Sequence, residues 1–140
     1  MNQNVSSALN QTLSFYWLDG TYNGTGPQDV PFIATMPVIL HGAGISVSAS
    51  FDATGLANAG WQLIEIDLND ATWTGSEADL IAVLSDLDRI EIAVETVNGQ
   101  DFASGANCTN GEYMALDNIT FGCAPADTDG DNIPDYQDLD

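Results

Sequence analysis

Strict alternation of apolar and polar side chains over residues 45–51 is the feature that most constrains the fold. Serines at positions 46, 48 and 50 separate four apolar residues. Because successive side chains of a β-strand point to opposite faces, this repeat of two predicts a strand with one buried face and one solvated face. We interpret Ser46, Ser48 and Ser50 as the solvated face, since they lack the strand-to-helix turn that presents a nucleophilic serine.

Five other segments carry strand signals, and Gly-rich or Pro-rich turns separate most of them. They are residues 13–18, 38–40, 61–68, 89–97 and 113–121. Pro37 lacks an amide hydrogen, so we expect it at the start of its strand or on a sheet edge. The hydrophobic parity of the last segment breaks at Asp117 and Asn118, which predicts a β-bulge there.

One amphipathic helix is predicted between the fourth and fifth strands. Ser76 is placed to cap its first turn, with Asp79 at the third helical position in the pattern of a capping box. Apolar residues at helical spacing then form the expected buried stripe. They are Leu80, Val83, Leu84 and Leu87. Short alternating strands with one helix indicate an all-β fold, an antiparallel β-sandwich.

The chain is strongly acidic, with 21 acidic residues, one basic residue (Arg89) and a formal net charge of -20 over 140 residues. Such a surface repels nucleic acid and anionic membranes, so neither is an expected partner. No apolar run approaches the length of a membrane span, and the first residues do not form a signal peptide. High salt or bound divalent cations would offset the charge.

The last fourteen residues carry carboxylates at the spacing of a calcium-binding loop. When Asp127 is position 1, aspartates fall at positions 1, 3, 5, 9 and 12, and a backbone carbonyl is available at position 7. Ca²⁺ takes six to eight oxygen ligands and would neutralise carboxylates that otherwise repel one another. The predicted ligands are Asp127, Asp129, Asp131, the Ile133 carbonyl, Asp135 and Asp138. A disordered acidic tail is the alternative interpretation.

This segment departs from an EF-hand loop and is similar to another kind of calcium repeat. Asn132 stands where an EF-hand has glycine, Asp138 replaces the closing glutamate, and no amphipathic helix flanks the loop. The pattern Asp-x-Asp-Gly-Asp-x-Ile-Pro-Asp-x-x-Asp over residues 127–138 resembles the thrombospondin type 3 repeat. That resemblance implies a calcium-rigidified stalk of a secreted protein, in which such loops come in tandem.

Two cysteines, Cys108 and Cys123, bracket a segment that ends in the last predicted strand. In an oxidising compartment they would form a disulfide that contributes about 3 kcal/mol. Two free buried thiols are the alternative. The neighbouring calcium loop favours the disulfide and an extracellular or cell-surface location.

Six short motifs follow one another along residues 12–122. They are Leu13-Ser-Phe, Pro37-Val-Ile-Leu-His-Gly-Ala-Gly-Ile45, Trp61 before a strand, Trp73 before Gly75-Ser-Glu-Ala-Asp-Leu, Leu84-Ser-Asp-Leu-Asp-Arg-Ile-Glu-Ile92 and Leu116-Asp-Asn-Ile119. This ordered set resembles the laminin B (laminin IV type A) domain, which implies an extracellular, non-catalytic jelly-roll β-sandwich. The expected organisation is a laminin B-like domain over residues 1–123 and a thrombospondin type 3-like calcium segment over residues 124–140.

One departure from the laminin B pattern bears on assembly. The family usually has a further strand before its first motif, and this chain has almost no sequence there. Either the domain is incomplete or a neighbouring molecule supplies the strand. In the second case residues 1–11 are the expected donor, because an exposed sheet edge recruits strands from other chains.

Few other residues support catalysis. His41, between strand and turn, is interpreted as a turn histidine, because the sequence offers no nucleophile partner or second histidine. Carboxylates alternate outward on two strands and are expected to be solvated, although a glycosidase also uses a carboxylate pair. They are Glu65, Asp67, Glu91 and Glu95. Among the aromatic residues, Tyr22 in the long loop is the best candidate to stack on a ligand.

Two classes of function fit these observations. The first is a non-catalytic extracellular calcium-binding module for adhesion or glycan binding, with a glycan or matrix component as partner. The second is a structural subunit whose copies assemble into a fibre or surface layer by strand donation and calcium bridging. A hydrolase fragment is the least supported class.

Overall fold

Four stretches of the chain are described by the computed structural model, residues 3–21, 34–56, 59–93 and 112–122. They contain a short 3₁₀ helix at Ser6–Ala8, six strands and one α-helix. In chain order the strands and helix are β1 (Thr12–Thr21), β2 (Thr35–Gly42), β3 (Ile45–Asp52), β4 (Gln62–Asp67), α1 (Glu77–Ser85), β5 (Leu87–Ile92) and β6 (Glu112–Gly122).

The strands form two antiparallel three-stranded sheets, one with the order β4-β1-β6 and the other with the order β3-β2-β5. The predicted all-β antiparallel fold with one short helix is confirmed for the described residues. Each predicted strand segment overlaps one observed strand, and residues 94–97 of the fifth segment lie outside the described stretches.

Aromatic residues join the two sheets. Phe51 of β3 packs edge-on against Phe15 and Trp17 of β1, with ring centroids 5.7 Å apart in both pairs. The rest of the core comes from both sheets and from α1, with side chains that have no exposed surface, such as Leu13, Met36, Val38, Leu40, Leu68, Leu80 and Leu84. β1 is also buried on its other face, where Ser14 and Tyr16 are 0% and 2% exposed.

β2 and β3 are joined by the two-residue loop Ala43-Gly44, whose φ angles are both positive, at 51° and 74°. A type I′ turn requires positive φ at both central positions, and its twist matches that of the flanking strands. The loop fixes a register that pairs His41 with Ser46. Val47 and Phe51 then face the core, so the alternation that predicts a half-buried strand is confirmed.

Pro37 lies within the central strand of its sheet, so the prediction of a strand start or a sheet edge is wrong. Its carbonyl accepts a hydrogen bond from the Ala93 amide at 3.0 Å. This bond lies next to the last pair of the β2–β5 ladder, Val38 with Ile92. The hydrogen bond that Pro37 cannot donate would fall at the end of the ladder, where its loss disturbs the sheet least.

α1 begins with the predicted capping box. The Ser76 hydroxyl accepts a hydrogen bond from the Asp79 amide at 3.2 Å, and the Asp79 carboxylate accepts one from the Ser76 amide at 2.9 Å. Hydrogen bonds to the carboxylate, first from the Ser76 amide and then from its hydroxyl, hold the pKa of Asp79 below its usual value.

The buried stripe of α1 ends earlier than predicted. Leu80, Val83 and Leu84 are buried in the helix as expected. Leu87, however, is the first residue of β5, because the helix ends at Ser85 and the Asp86 amide donates to the Val83 carbonyl as the chain turns. Leu87 is still only 7% exposed, so helical spacing alone does not separate a last helical turn from a strand start.

The predicted bulge is present in β6. Ser14 pairs with Thr120, but Tyr16 pairs with Asp117, so two residues of β6 lie opposite Phe15. One of them, Asn118, has φ of 53°, and its amide donates to the Asp117 carboxylate at 2.7 Å. The aspartate therefore stabilises the extra residue of the bulge.

Residues 3–11 lie against their own chain. Gln3 forms a β-bridge with Leu87, and the Val5 amide donates to the Leu84 carbonyl at 2.7 Å. Ala8 is only 3% exposed. A role of residues 1–11 as a donor strand would require these contacts to break.

Replacement of Ser76 with alanine should lower the free energy of unfolding by about 1 kcal/mol, because the first turn of α1 loses its cap. The matched control Ser85→Ala, at the other end of the helix, should change it by less than about 0.5 kcal/mol. Because the Asp79 pKa is lowered on folding, the effect of S76A should be complete above the ordinary pKa of Asp79. It should become smaller as the pH falls through the lowered pKa, because the hydrogen bond from the Ser76 hydroxyl to the Asp79 carboxylate is lost, while the bond from the Asp79 amide to that hydroxyl does not titrate. Urea titrations over a pH series measure this, and an effect that persists unchanged into acid would contradict it.

Gly42 should not tolerate a side chain. A Cβ at this position would lie 2.6 Å from the carbonyl oxygens of both Val83 and Asp86. These are backbone atoms at the end of α1, so Gly42→Ala should destabilise the fold by about 1–3 kcal/mol. The control Gly44→Asn should have a much smaller effect, because nothing lies within 4 Å of a Cβ there and Asn tolerates positive φ. Equal losses for both variants in thermal unfolding would show that the close approach at Gly42 does not matter.

Candidate functional site

Four polar side chains come together on the outer face of the β3-β2-β5 sheet, and we call them the His41 cluster. They are His41, Ser46, Arg89 and Glu91. His41 of β2 is paired with Ser46 of β3 on one side and with Arg89 of β5 on the other. Glu91 is two residues beyond Arg89 and so lies on the same face. The cluster contains the single histidine and the single basic residue of the whole sequence.

A chain of hydrogen bonds runs through the imidazole of His41. The Ser46 hydroxyl lies 2.7 Å from Nδ1, and Oε1 of Glu91 lies 3.2 Å from Nε2. Nη2 of Arg89 lies 2.8 Å from the same Oε1 and 3.4 Å from Nε2 of His41. Glu91 therefore holds the ring of His41 and the guanidinium of Arg89 through one oxygen.

The hydrogen positions of His41 are assigned, because the Arg89 guanidinium can donate to the same Nε2 that Glu91 contacts. An ionised carboxylate only accepts, and Glu91 lies closer to Nε2 than Arg89 does, so we assign the hydrogen to Nε2. A neutral imidazole then has no hydrogen on Nδ1, which accepts from the Ser46 hydroxyl. The tautomer is assigned from this hydrogen-bonding pattern.

Exposure differs across the cluster. The side chains of Arg89 and Glu91 are 61% and 46% exposed, whereas that of His41 is 20% exposed. Water and salt screen the Arg89–Glu91 pair, which therefore contributes under about 1 kcal/mol. His41 is more enclosed because it lies on the central strand, between neighbours on both sides. The imidazole is thus the best fixed member of the cluster.

A recess of about 210 Å³ opens beside the cluster. Its lining consists of Pro37, Ile39, Glu91, Ile92 and Ala93. Apart from the Glu91 carboxylate this lining is apolar. A ligand that fits it would place an apolar group against β2 and a hydrogen-bond donor against Glu91.

The structure places beside His41 a hydroxyl that the sequence analysis treated only as part of a solvated strand face. The hairpin register brings the Ser46 hydroxyl to Nδ1 of His41. This contact had a signal in the sequence, since a two-residue turn at 43–44 implies that residues 41 and 46 are opposite each other. The role of Glu91 had none, because the order of strands in the sheet cannot be read from residue types.

The other outward carboxylates do not join this cluster. Glu65 and Asp67 are exposed on β4, and their neighbours Ile64 and Ile66 are buried, so both acids lie on the outer face of the β4-β1-β6 sheet. Glu91 lies on the outer face of the other sheet. Glu91 therefore lies on a different face of the molecule from Glu65 and Asp67 and cannot pair with either of them. Glu95 lies outside the described residues.

Trp17 and Trp73 are buried, and the indole N–H of Trp73 donates to the Asp67 carbonyl at 2.9 Å, so neither is available to stack on a ligand. The remaining predicted site residues lie outside the described stretches. They are Tyr22, Cys108, Cys123, Asp127, Asp129, Asp131, Ile133, Asp135 and Asp138.

Within the described stretches, no group of three or more His, Cys, Asp or Glu side chains is arranged to hold a metal ion. No helix among the same residues is long and apolar enough to cross a membrane.

Comparisons of the chain with known protein families, curated proteins and solved structures found no match. The resemblances to the laminin B domain and to the thrombospondin type 3 repeat therefore remain predictions from the sequence.

The tautomer of His41 can be measured directly. Under alkaline conditions that keep the ring neutral, ¹⁵N spectra should show the hydrogen predominantly on Nε2, because Glu91 accepts it. The chain has one histidine, so the signals need no further assignment. Glu91→Gln should weaken this preference, because an amide can also donate to Nε2. Predominance of the Nδ1–H form in the unmodified chain would contradict the geometry.

Proposed function

We propose that this chain is a non-catalytic extracellular calcium-binding module for adhesion or glycan binding. Residues 1–123 form a jelly-roll β-sandwich of the laminin B type, and residues 124–140 form a calcium-binding segment similar to a thrombospondin type 3 repeat. The observation that carries the proposal is the aspartate spacing over residues 127–138. That spacing supplies five carboxylates and one carbonyl, which is a ligand set suited to Ca²⁺.

The charge of the chain supports calcium binding. The last fourteen residues hold six of the 21 acidic residues. Carboxylates held about 4 Å apart in water repel one another by about 1 kcal/mol per pair, and a bound divalent cation removes that repulsion. Ca²⁺ would therefore order the segment as well as occupy it. Mg²⁺ should substitute poorly, because it requires strict octahedral geometry and retains its waters.

The arrangement of the sheets supports a binding module. Polar side chains of both sheets are exposed and point away from the core, among them Ser50, Glu65 and Asp67. The recess beside Glu91 combines an apolar floor with a carboxylate acceptor, and sugars are bound by such combinations of apolar surface and few polar groups. Tyr22 is the proposed stacking residue for the same class of ligand.

A separate module is favoured over a strand-donating fibre subunit by one observation. Residues 3–11 already contact their own chain through Gln3 and Val5. Donation of this segment to another molecule would first break those contacts.

Calorimetry should show that the chain binds one Ca²⁺ with a dissociation constant of about 10⁻⁴–10⁻³ M, the range of extracellular modules. The double variant Asp129→Asn and Asp131→Asn should abolish the binding heat, because two charged ligands are lost. The matched control, Glu65→Gln with Asp67→Asn, removes the same charge from β4 and should leave binding intact.

Thermal unfolding separates loss of the ligand from loss of the fold. The D129N/D131N variant should unfold at the same temperature as the parent chain in the presence of chelator. Absence of binding heat at millimolar Ca²⁺ in the parent chain would contradict calcium binding and would mean that residues 127–138 are only a solvated acidic tail. A glycan array probed with and without chelator then tests the adhesion part of the proposal.

A further inference from the structure

We propose that Ser46 is a site of covalent O-acylation, at which its Oγ takes the acyl group of a neutral activated ester with His41 as the base. The inference goes beyond the module function, which involves no covalent step. It rests on two contacts of the His41 ring, 2.7 Å from Nδ1 to the Ser46 hydroxyl and 3.2 Å from Nε2 to Glu91.

These contacts are those of a serine with an adjacent general base. With the hydrogen of His41 assigned to Nε2, the hydroxyl of Ser46 donates to the unprotonated Nδ1, so the ring is placed to remove that proton when Oγ attacks. Glu91 accepts the hydrogen of Nε2 and holds the ring in the tautomer that leaves Nδ1 free. Glu91 is therefore a positioning residue, and Arg89 in turn binds its Oε1 at 2.8 Å.

The step conserves atoms and charge. Oγ of Ser46 forms a bond to the acyl carbon, and the bond between that carbon and the leaving aryl oxygen breaks. The hydroxyl proton passes to Nδ1 of His41 and from there to the departing phenolate or to solvent. The products are acyl-Ser46 and a phenol, and no oxidant or metal ion takes part.

The surroundings limit the class of substrate. Ser46 is exposed, so water competes for any charge that develops on the acyl oxygen. General-base assistance contributes about 10²–10⁴-fold, whereas loss of a single oxyanion-hole donor removes about 10²–10³-fold. The site should therefore react with aryl esters, whose leaving group is good, and should not cleave peptide bonds. A net charge of -20 also favours neutral esters over anionic ones.

The same strand supplies a matched control. Ser50 is exposed on the same face of β3, but its partner across the sheet is Pro37 rather than histidine. Ser46 and Ser50 thus differ chiefly in the base beside them. The sequence has no lysine, since its single basic residue is Arg89. The terminal amine is therefore the one amine that can compete with Ser46 for the ester.

The test uses the full chain and p-nitrophenyl acetate. Phenolate release is followed by absorbance, and the acetylated residue is located by mass spectrometry of peptides. Acetylation of Ser46 should exceed that of Ser50 by at least about tenfold. Ser46→Ala and His41→Gln should each lower phenolate release by at least about tenfold, whereas Ser50→Ala should leave it unchanged.

Glu91→Gln separates positioning from folding. It should lower Ser46 acetylation at least about tenfold and shift the ¹⁵N spectrum of His41 toward the Nδ1–H tautomer, with the unfolding temperature unchanged. A structural role alone would not move the tautomer and the acetylation together.

Three results would overturn the proposal. Equal acetylation of Ser46 and Ser50 would mean that the base gives no activation. Full phenolate release by Ser46→Ala would show that another group, such as His41 or the terminal amine, is the nucleophile. Full acetylation of Ser46 in His41→Gln would show that the imidazole takes no part.

Discussion

Packing of Phe51 against Phe15 and Trp17 is the contact on which the rest of the structure depends. It links the second strand of the hairpin to the middle strand of the opposite sheet. Because side chains alternate along a strand, an inward Phe51 also requires that Ser46 face outward. A core contact therefore determines which side of the sheet carries the polar cluster.

The neighbouring residue, Gly42, also helps to fix the position of His41. Gly42 passes so close to the carbonyls of Val83 and Asp86 that only a residue without Cβ fits. The end of α1 is thus in contact with the hairpin, and β5 begins directly afterwards at Leu87. The short connection from the end of α1 to β5 therefore lies against Gly42, and β5 then brings Arg89 and Glu91 beside His41.

Much of this fold could be predicted from residue types, because patterns of alternation and capping are clear wherever a strand or helix has one buried face. The alternation before Phe51, the cap at Ser76 and the parity break at Asn118 each corresponded to the observed element. Pro37 was misplaced because the place where a strand tolerates proline depends on the order of the strands in the sheet. Leu87 was misplaced because helical spacing does not show where the chain turns from the helix into the next strand. The His41 cluster depends on three strands, and only the two-residue turn between His41 and Ser46 was visible in one stretch of sequence.

The two-residue turn has a consequence for which changes of length the hairpin can accept. Hairpin loops of two to five residues all join paired strands, so residues inserted at Ala43-Gly44 would lengthen the loop and leave the pairing of His41 with Ser46 in place. A slip of one strand by one residue would instead turn Val47 outward and Ser46 inward, which the core would resist. A loop grafted at this position should therefore leave the facing of both strands unchanged, whether it contains an odd or an even number of residues.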